Sequence, residues 1–125
     1  MRKAINLVVI KDKEILLVKK NETWILPGGK PKKGESDLIC LIRELGEELP
    51  DAEFYFGNYY DSFTGETPHK KDMLEAKVYF GGILTEVGNP GAEIKKAEFV
   101  DNFGEYNLSN ITSKIIKSLK LNHYL

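Results

Sequence analysis

The segment spanning residues 28–50, GGKPKKGESDLICLIRELGEELP, limits what this chain can fold into more than any other. A glycine turn runs into a stretch with helical spacing. Placed at about 100° per residue, Leu38, Leu41, Ile42, Leu45 and Leu49 gather on one stripe, Glu44 and Glu48 flank its edge, and Glu47 lies further round. Ser36 and Asp37 both suit the N-cap, which puts Glu35 where the loop meets the helix. Arg43 is the one cation on the helix. Carboxylates three and four residues apart cost about 0.2–0.5 kcal/mol per pair, and near a helix C-terminus they also oppose the macrodipole. Stability alone does not select that arrangement. A hard divalent cation such as Mg²⁺, which takes oxygen ligands and comes with substrate phosphates, turns the repulsion into binding energy. The segment therefore reads as a packing face joined to a metal site.

The rest of the chain sets the frame for that site. Its 125 residues, 42% hydrophobic and 30% charged, suit one soluble globular domain over residues 1–125. A formal net charge of -1 gives no electrostatic case for a nucleic-acid or membrane-surface partner, so a polyanionic substrate must be gripped by local charges or by metal. The first residues, MRKAINLVVIKDKEILLVKK, have short apolar runs broken by charge and read as two strands, not as a signal peptide. No run approaches the roughly 18 apolar residues of a membrane span. A single cysteine, Cys40, excludes an internal disulfide and makes a reducing cytoplasm the expected location.

Strand patterns fall at residues 4–10 and 14–19, split by a Lys-Asp-Lys turn, and at residues 23–26, which Pro27-Gly28-Gly29 stops. After Pro50, residues 53–63 and 76–87 read as long strands, the second interrupted by Gly81-Gly82. The polar stretch TGETPHKKD between them closes a hairpin. Asn89-Pro90-Gly91 is a turn and residues 98–100 a short strand. Ser109 caps a last helix with Ile111, Ile115, Ile116 and Leu119 on its inner stripe. With no repeat or linker, the expected class is mixed α/β.

Gly29, five residues, Glu35, seven residues, then Arg43-Glu44-Leu45-Gly46-Glu47-Glu48 resembles the Nudix box, the signature of the Nudix hydrolases. The preceding Trp24-Ile25-Leu26-Pro27 and the strand order resemble that family too. The resemblance implies the Nudix fold, a mixed β-sheet sandwiched between helices. It also implies hydrolysis of a diphosphate linkage in a nucleoside diphosphate joined to another group, with Mg²⁺ or Mn²⁺. Carried over by position, Glu44 and Glu48 are the main metal ligands, Glu47 a further ligand directly or through water, and the Gly29 carbonyl a backbone ligand. Arg43 and Glu35 pair to fix the loop against the helix. Glu48 or Glu47 is placed to take the proton from water, and Glu93, with Glu98 behind it, is the candidate for a base from a later loop. The chain departs from the family pattern at Pro50-Asp51, where the box closes with glycine and an aliphatic residue. Proline cannot supply the left-handed conformation of a glycine cap, and it predicts a helix that ends by Glu48.

The substrate is marked less clearly. Trp24, Phe54, Phe56, Tyr59, Tyr60, Phe63, Tyr79 and Phe80 offer surfaces for stacking a base, although aromatic residues in strands are most often core. Pro68 falls roughly where some ADP-ribose hydrolases of the family carry a proline, and small single-domain members include nucleoside triphosphate pyrophosphohydrolases. The triphosphate is ranked first, cleaved to monophosphate and pyrophosphate. ADP-ribose, a nucleotide sugar or a dinucleotide comes next, and a non-catalytic module binding a nucleotide or a partner protein is the alternative of another class. Three intact carboxylates argue against the module, which has no physical reason to keep clustered like charges. Cys40 reads as a small packing residue, and His69, Lys70 and Lys71 as a solvated loop. Family members often dimerise, so a homodimer is among the assemblies the resemblance allows.

Overall fold

The computed structural model describes residues 1–67 and 72–125. Pro68, His69, Lys70 and Lys71 lie outside the described residues. The chain begins with β1 (Arg2–Lys11) and β2 (Glu14–Lys20), joined through Asp12 and Lys13 at φ 53° and 62°. Two consecutive left-handed residues make a tight hairpin turn whose twist matches its strands. The pair stays in register only over Ile10↔Ile15 and Lys11↔Glu14. Then β1 runs parallel to β6 (Met73–Ile83), while β2 pairs antiparallel with β3 (Thr23–Ile25) and β7 (Ile94–Val100). A long strand β5 (Phe54–Glu66) borders β6, the antiparallel hairpin expected from the sequence.

Alternation along β1 and β2 sends apolar residues to both faces of the sheet. Ile5, Leu7, Val9, Leu16 and Val18 pack with Cys40, Leu41, Leu45 and Leu49 of the first helical segment. Val8, Ile15, Leu17, Ala76 and Val78 pack on the other side with Ile111, Ile115 and Leu119 of the last helix. The helices are α1 (Asp37–Glu48) and α2 (Asn110–Leu121), so the mixed sheet lies between them, the layering implied by the resemblance. Ser36 is the N-cap of α1 and Ser109 that of α2, each Oγ accepting a backbone N–H three residues on, at 3.2 Å. Among the described residues no helix is long and apolar enough to cross a membrane.

Three expectations are corrected. Gly28 and Gly29 do not merely stop β3; they form a two-residue strand, β4 (Gly28–Gly29), on β1 with Asn6↔Gly28 and Ile5↔Gly29 paired. Only glycine allows this approach, because Gly28 has φ 136° and a Cβ there would overlap the Ile5 carbonyl. Gly81 and Gly82 do not interrupt β6, which runs through them to Ile83. A Cβ on Gly82 would fall on the Tyr55 ring of the neighbouring strand, so the ring fills the space the glycine leaves. The third correction concerns α1. Leu38 and Ile42 are each 49% exposed, while Cys40, Leu41, Leu45 and Glu48 are buried. The packed stripe is turned by roughly a quarter of the helix circumference toward the carboxylates. The cause is β4: laid flat on β1 without side chains, it lets the Glu44–Glu48 edge of α1 approach the sheet.

Candidate active site

Glu44 and Glu48, one turn apart on α1, face Gly29 and Gly28 of β4. The Glu44 carboxylate occupies the space a Gly29 side chain would take, and a Cβ there would fall on it. Glu48 is 5% exposed, and its Oε1 accepts the Gly28 N–H at 3.0 Å. Burial pushes the Glu48 carboxyl up to about 8. The Gly28 hydrogen bond and Lys20 pull it down, while the charges of Glu44 and Glu47 add to the rise. Cys40 is fully buried beside them, and its Sγ donates to the Gly29 carbonyl at 3.6 Å. Burial raises its thiol to about 11, so it stays protonated and packs as a small hydrophobe, as the sequence suggested.

Arg43 fastens the loop to the helix. Its Nε and Nη2 reach the two oxygens of Glu35 at 2.7 and 2.8 Å, a bidentate pair. Nη2 also donates to the Lys30 carbonyl at 3.0 Å, and Nη1 to Glu44 at 2.8 Å, with Glu47 at 3.6 Å. Arg43 and then the Lys32 N–H, at 2.6 Å, hold Glu35 at about 2, far below the ordinary carboxylate range. The guanidinium is correspondingly shifted upward by Glu35 and Glu44. The pairing expected of Arg43 and Glu35 is present.

The end of α1 shows how Pro50 is accommodated. Leu49 leaves helical geometry at φ -132° and ψ 68°, and the helix ends at Glu48 as the proline predicts. No glycine caps it locally. The Gly91 N–H donates instead to the Glu48 carbonyl at 2.8 Å, while Asp51 Oδ2 accepts from the Asn89 N–H at 2.9 Å. The loop before β7 thus supplies a donor that the α1 C-terminus lacks, and Glu48 keeps its place.

Above Glu48 lies a cavity of about 210 Å³, walled by β1, β3, β4 and the start of α2. Ala4, Ile25, Leu26, Leu74, Ile111 and Ile115 make it largely apolar, with Asn6, Thr23, Ser109 and Thr112 among its polar groups. Asn6 Nδ2 donates to the Leu26 carbonyl at 3.2 Å, which ties β1 to the β3–β4 turn. None of the eight aromatic residues considered for base stacking lines this cavity. Trp24 is core against Tyr106, and Tyr59 and Tyr79 pack together on the other side of the molecule's sheet.

The fold therefore gathers Gly29, Glu44 and Glu48 at one place, with Arg43 and Glu35 beside them. Glu47 stands at the rim with its side chain 49% exposed. Glu93 is exposed and joined to Lys20, Nζ to Oε2 3.0 Å. Glu98 turns away and accepts from the Tyr106 hydroxyl at 2.8 Å. Two residues escaped sequence reasoning. Gly28 had a signal in the doubled glycine, but Lys20 is one lysine of a Lys-Lys pair and only tertiary structure separates it from Lys19. Among the described residues, no three acidic, His or Cys side chains converge into a ready metal cage. The donor set nonetheless fits a hard divalent cation: glutamate oxygens and a glycine carbonyl, packed against backbone where a side chain would intrude.

A NUDIX domain model matches residues 1–109. An mRNA-decapping protein of African swine fever virus is 40% identical over 67 residues, a match covering 49% of this chain and 25% of the viral protein. The match thus spans only a quarter of that relative's length. A MutT protein from Methanosarcina mazei Go1 has the same fold at TM-score 0.81 and 20% identity, covering 98% of this chain and 94% of its own. A MutT NUDIX hydrolase from Burkholderia pseudomallei follows at TM-score 0.76 and 20% identity, covering 93% and 95%. With the domain match running from β1 to the N-cap of α2 and the box residues gathered as described, this chain belongs to the Nudix family.

Proposed function

We propose that the protein is a Mg²⁺- or Mn²⁺-dependent pyrophosphohydrolase that converts a nucleoside triphosphate to its monophosphate and pyrophosphate. The observation that carries this reading is the Glu48 carboxyl, with Glu44 behind it, on the floor of a largely apolar cavity. Acidic floor and apolar wall match a ligand with a polyphosphate at one end and a base at the other. The volume favours one nucleoside over two: about 210 Å³ is less than the roughly 300–1,000 Å³ of ordinary ligand clefts.

Glu44, Glu48 and the Gly29 carbonyl would hold the cation, with Glu47 reaching it from the rim. When bound, the cation polarises a phosphoryl oxygen and offsets charge on the leaving phosphate. Glu47 or Glu48 would accept the proton of the attacking water. Arg43 keeps Glu44 and the β4–α1 loop in place without itself facing the cavity.

The test is a panel of nucleoside triphosphates, ADP-ribose, nucleotide sugars, dinucleotides and capped RNA, assayed for released phosphate with added phosphatase. Capped RNA is included because of the viral relative. Triphosphate turnover to monophosphate and pyrophosphate is expected, abolished by chelation and lowered about 10²–10⁴-fold in Glu48→Gln. Turnover confined to another class would replace the substrate. No turnover with Mg²⁺ or Mn²⁺ would make the chain a binding module.

A further inference from the structure

Substrate phosphates enter a site rich in carboxylates, so the position of each cation matters. Arg43 is committed to Glu35, Glu44 and the Lys30 carbonyl. Among the described residues lining the cavity, Lys20 is the one cation. Its neighbour Lys19 lies at 3.8 Å from Glu22 and does not line the cavity.

A backbone irregularity separates the two lysines. Lys19 pairs with Lys96 on β7, but Lys20 pairs with Ile94, so the register slips by one residue between them. Such bulges re-aim a side chain, and they are frequent beside active sites. Here the slip sets Lys20 beside the cavity and Lys95 outside it, where Lys95 meets Glu22 at 2.9 Å. Glu93 immediately precedes β7, and its Oε2 lies 3.0 Å from the Lys20 ammonium. Both partners are open to water, Lys20 with 44% and Glu93 with 75% of the side chain exposed. An exposed pair is worth only about 0.2–1 kcal/mol and exchanges readily for a stronger anion.

We propose that Lys20 is the phosphate-gripping cation of this site and that Glu93 is its resting counter-ion, displaced when the substrate arrives. The assignment rests on the cavity being the nucleotide site. A phosphate carries more charge than one carboxylate, so the ammonium moves from Glu93 to the phosphate next to the group in the cavity. The role of Glu93 is then to hold Lys20 extended along the cavity rim before binding. It also competes with the substrate for Lys20.

The test is calorimetric titration of inorganic pyrophosphate into wild type, Lys20→Gln, Glu93→Gln and the double variant, each with and without Mg²⁺. Lys20→Gln should weaken binding about tenfold or more in both buffers, the loss of one charge-assisted contact. Glu93→Gln should tighten it about two- to fivefold, the value of an exposed pair, and that gain should vanish in the double variant. Three results would overturn the assignment: Lys20→Gln binding like wild type, a gain from Glu93→Gln that survives without Lys20, or no pyrophosphate binding to wild type in either buffer. Unchanged affinity with lost nucleotide turnover in Glu93→Gln would also overturn it, making Glu93 the proton acceptor. The metal-free arm reads Lys20 directly, so it stands even where the metal-dependent hydrolysis fails.

Discussion

At its N-terminal end α1 is closed by its own segment: Ser36 caps Ile39, and Arg43 reaches back to Glu35 and Lys30. At its C-terminal end the partners come from the loop before β7, where Gly91 donates to the Glu48 carbonyl and Asn89 to Asp51. Both ends hold glutamates of the same site, Glu44 through Arg43 and Glu48 through Gly28 and the capped helix end. The first clamp forms from residues no more than 13 apart in the chain. The second needs β5, β6 and the loop after them in place. One end depends on local sequence and the other on the whole fold, so equal-sized lesions at the two ends should have different consequences.

Gly29→Ala probes the first end. The added Cβ meets the tip of the Glu44 side chain, which can swing aside, so folding should be little changed. The displaced carboxylate should lower metal affinity and turnover about 10–100-fold, the loss usual when the groups that orient a metal ligand are disturbed. Titration of Mn²⁺ against the variant, beside a thermal melt, checks both halves. A large drop in stability with metal affinity intact would contradict the placement of Glu44.

Gly91→Ala probes the other end and should behave oppositely. Its Cβ would sit 2.8 Å from the Glu47 carbonyl and 3.1 Å from Pro50 Cδ, both fixed by the backbone and neither able to rotate away. Overpacking of this kind costs about 1–3 kcal/mol, and the lost Gly91–Glu48 hydrogen bond adds to it as the loop shifts. Denaturant unfolding should show the loss, with a smaller effect on metal affinity in the fraction that remains folded. Unchanged stability would mean that the end of α1 is held some other way.

The same division explains what the sequence discloses. Local pattern identifies Ser109 as a cap, Ser36 or Asp37 as the start of α1, the end of α1 before Pro50 and the apolar runs of β1 and β2, while the Arg43–Glu35 pair comes from the family resemblance. Each local reading depends on neighbours within a few residues. Hydropathy misplaces the packed stripe of α1, because Leu38 and Ile42 are more apolar than Glu48 but lie on the side away from β4. What decides the rotation is a strand of two glycines lying on Ile5 and Asn6, and a doubled glycine reads equally well as a turn. Lys20 is hidden for a similar reason, since the slip that distinguishes it from Lys19 belongs to its pairing with β7. Local sequence marks the acidic chemistry; tertiary pairing chooses the cation and cavity that meet it.

The weakest probe leaves the fold intact and titrates the local clamp. Glu35 is held at about 2 against an ordinary value of 4.5, chiefly by its hydrogen bonds to Arg43. A carboxyl whose value falls on folding binds fewer protons in the native state than in the unfolded one. It therefore contributes stability above about 4.5, and that contribution is lost as pH falls from there toward about 2. Glu35→Gln cannot carry the charge, so it should be less stable than wild type at neutral pH. The gap should narrow steadily as pH is lowered through that window, and high salt should narrow it only modestly, because the pair is bidentate and mostly shielded from water. Paired denaturation curves between pH 7 and the acid limit measure the gap. A gap that stays constant would mean that Glu35 acts on the loop through its shape and its Lys32 contact, and that Arg43 holds Glu44 without the charge at Glu35.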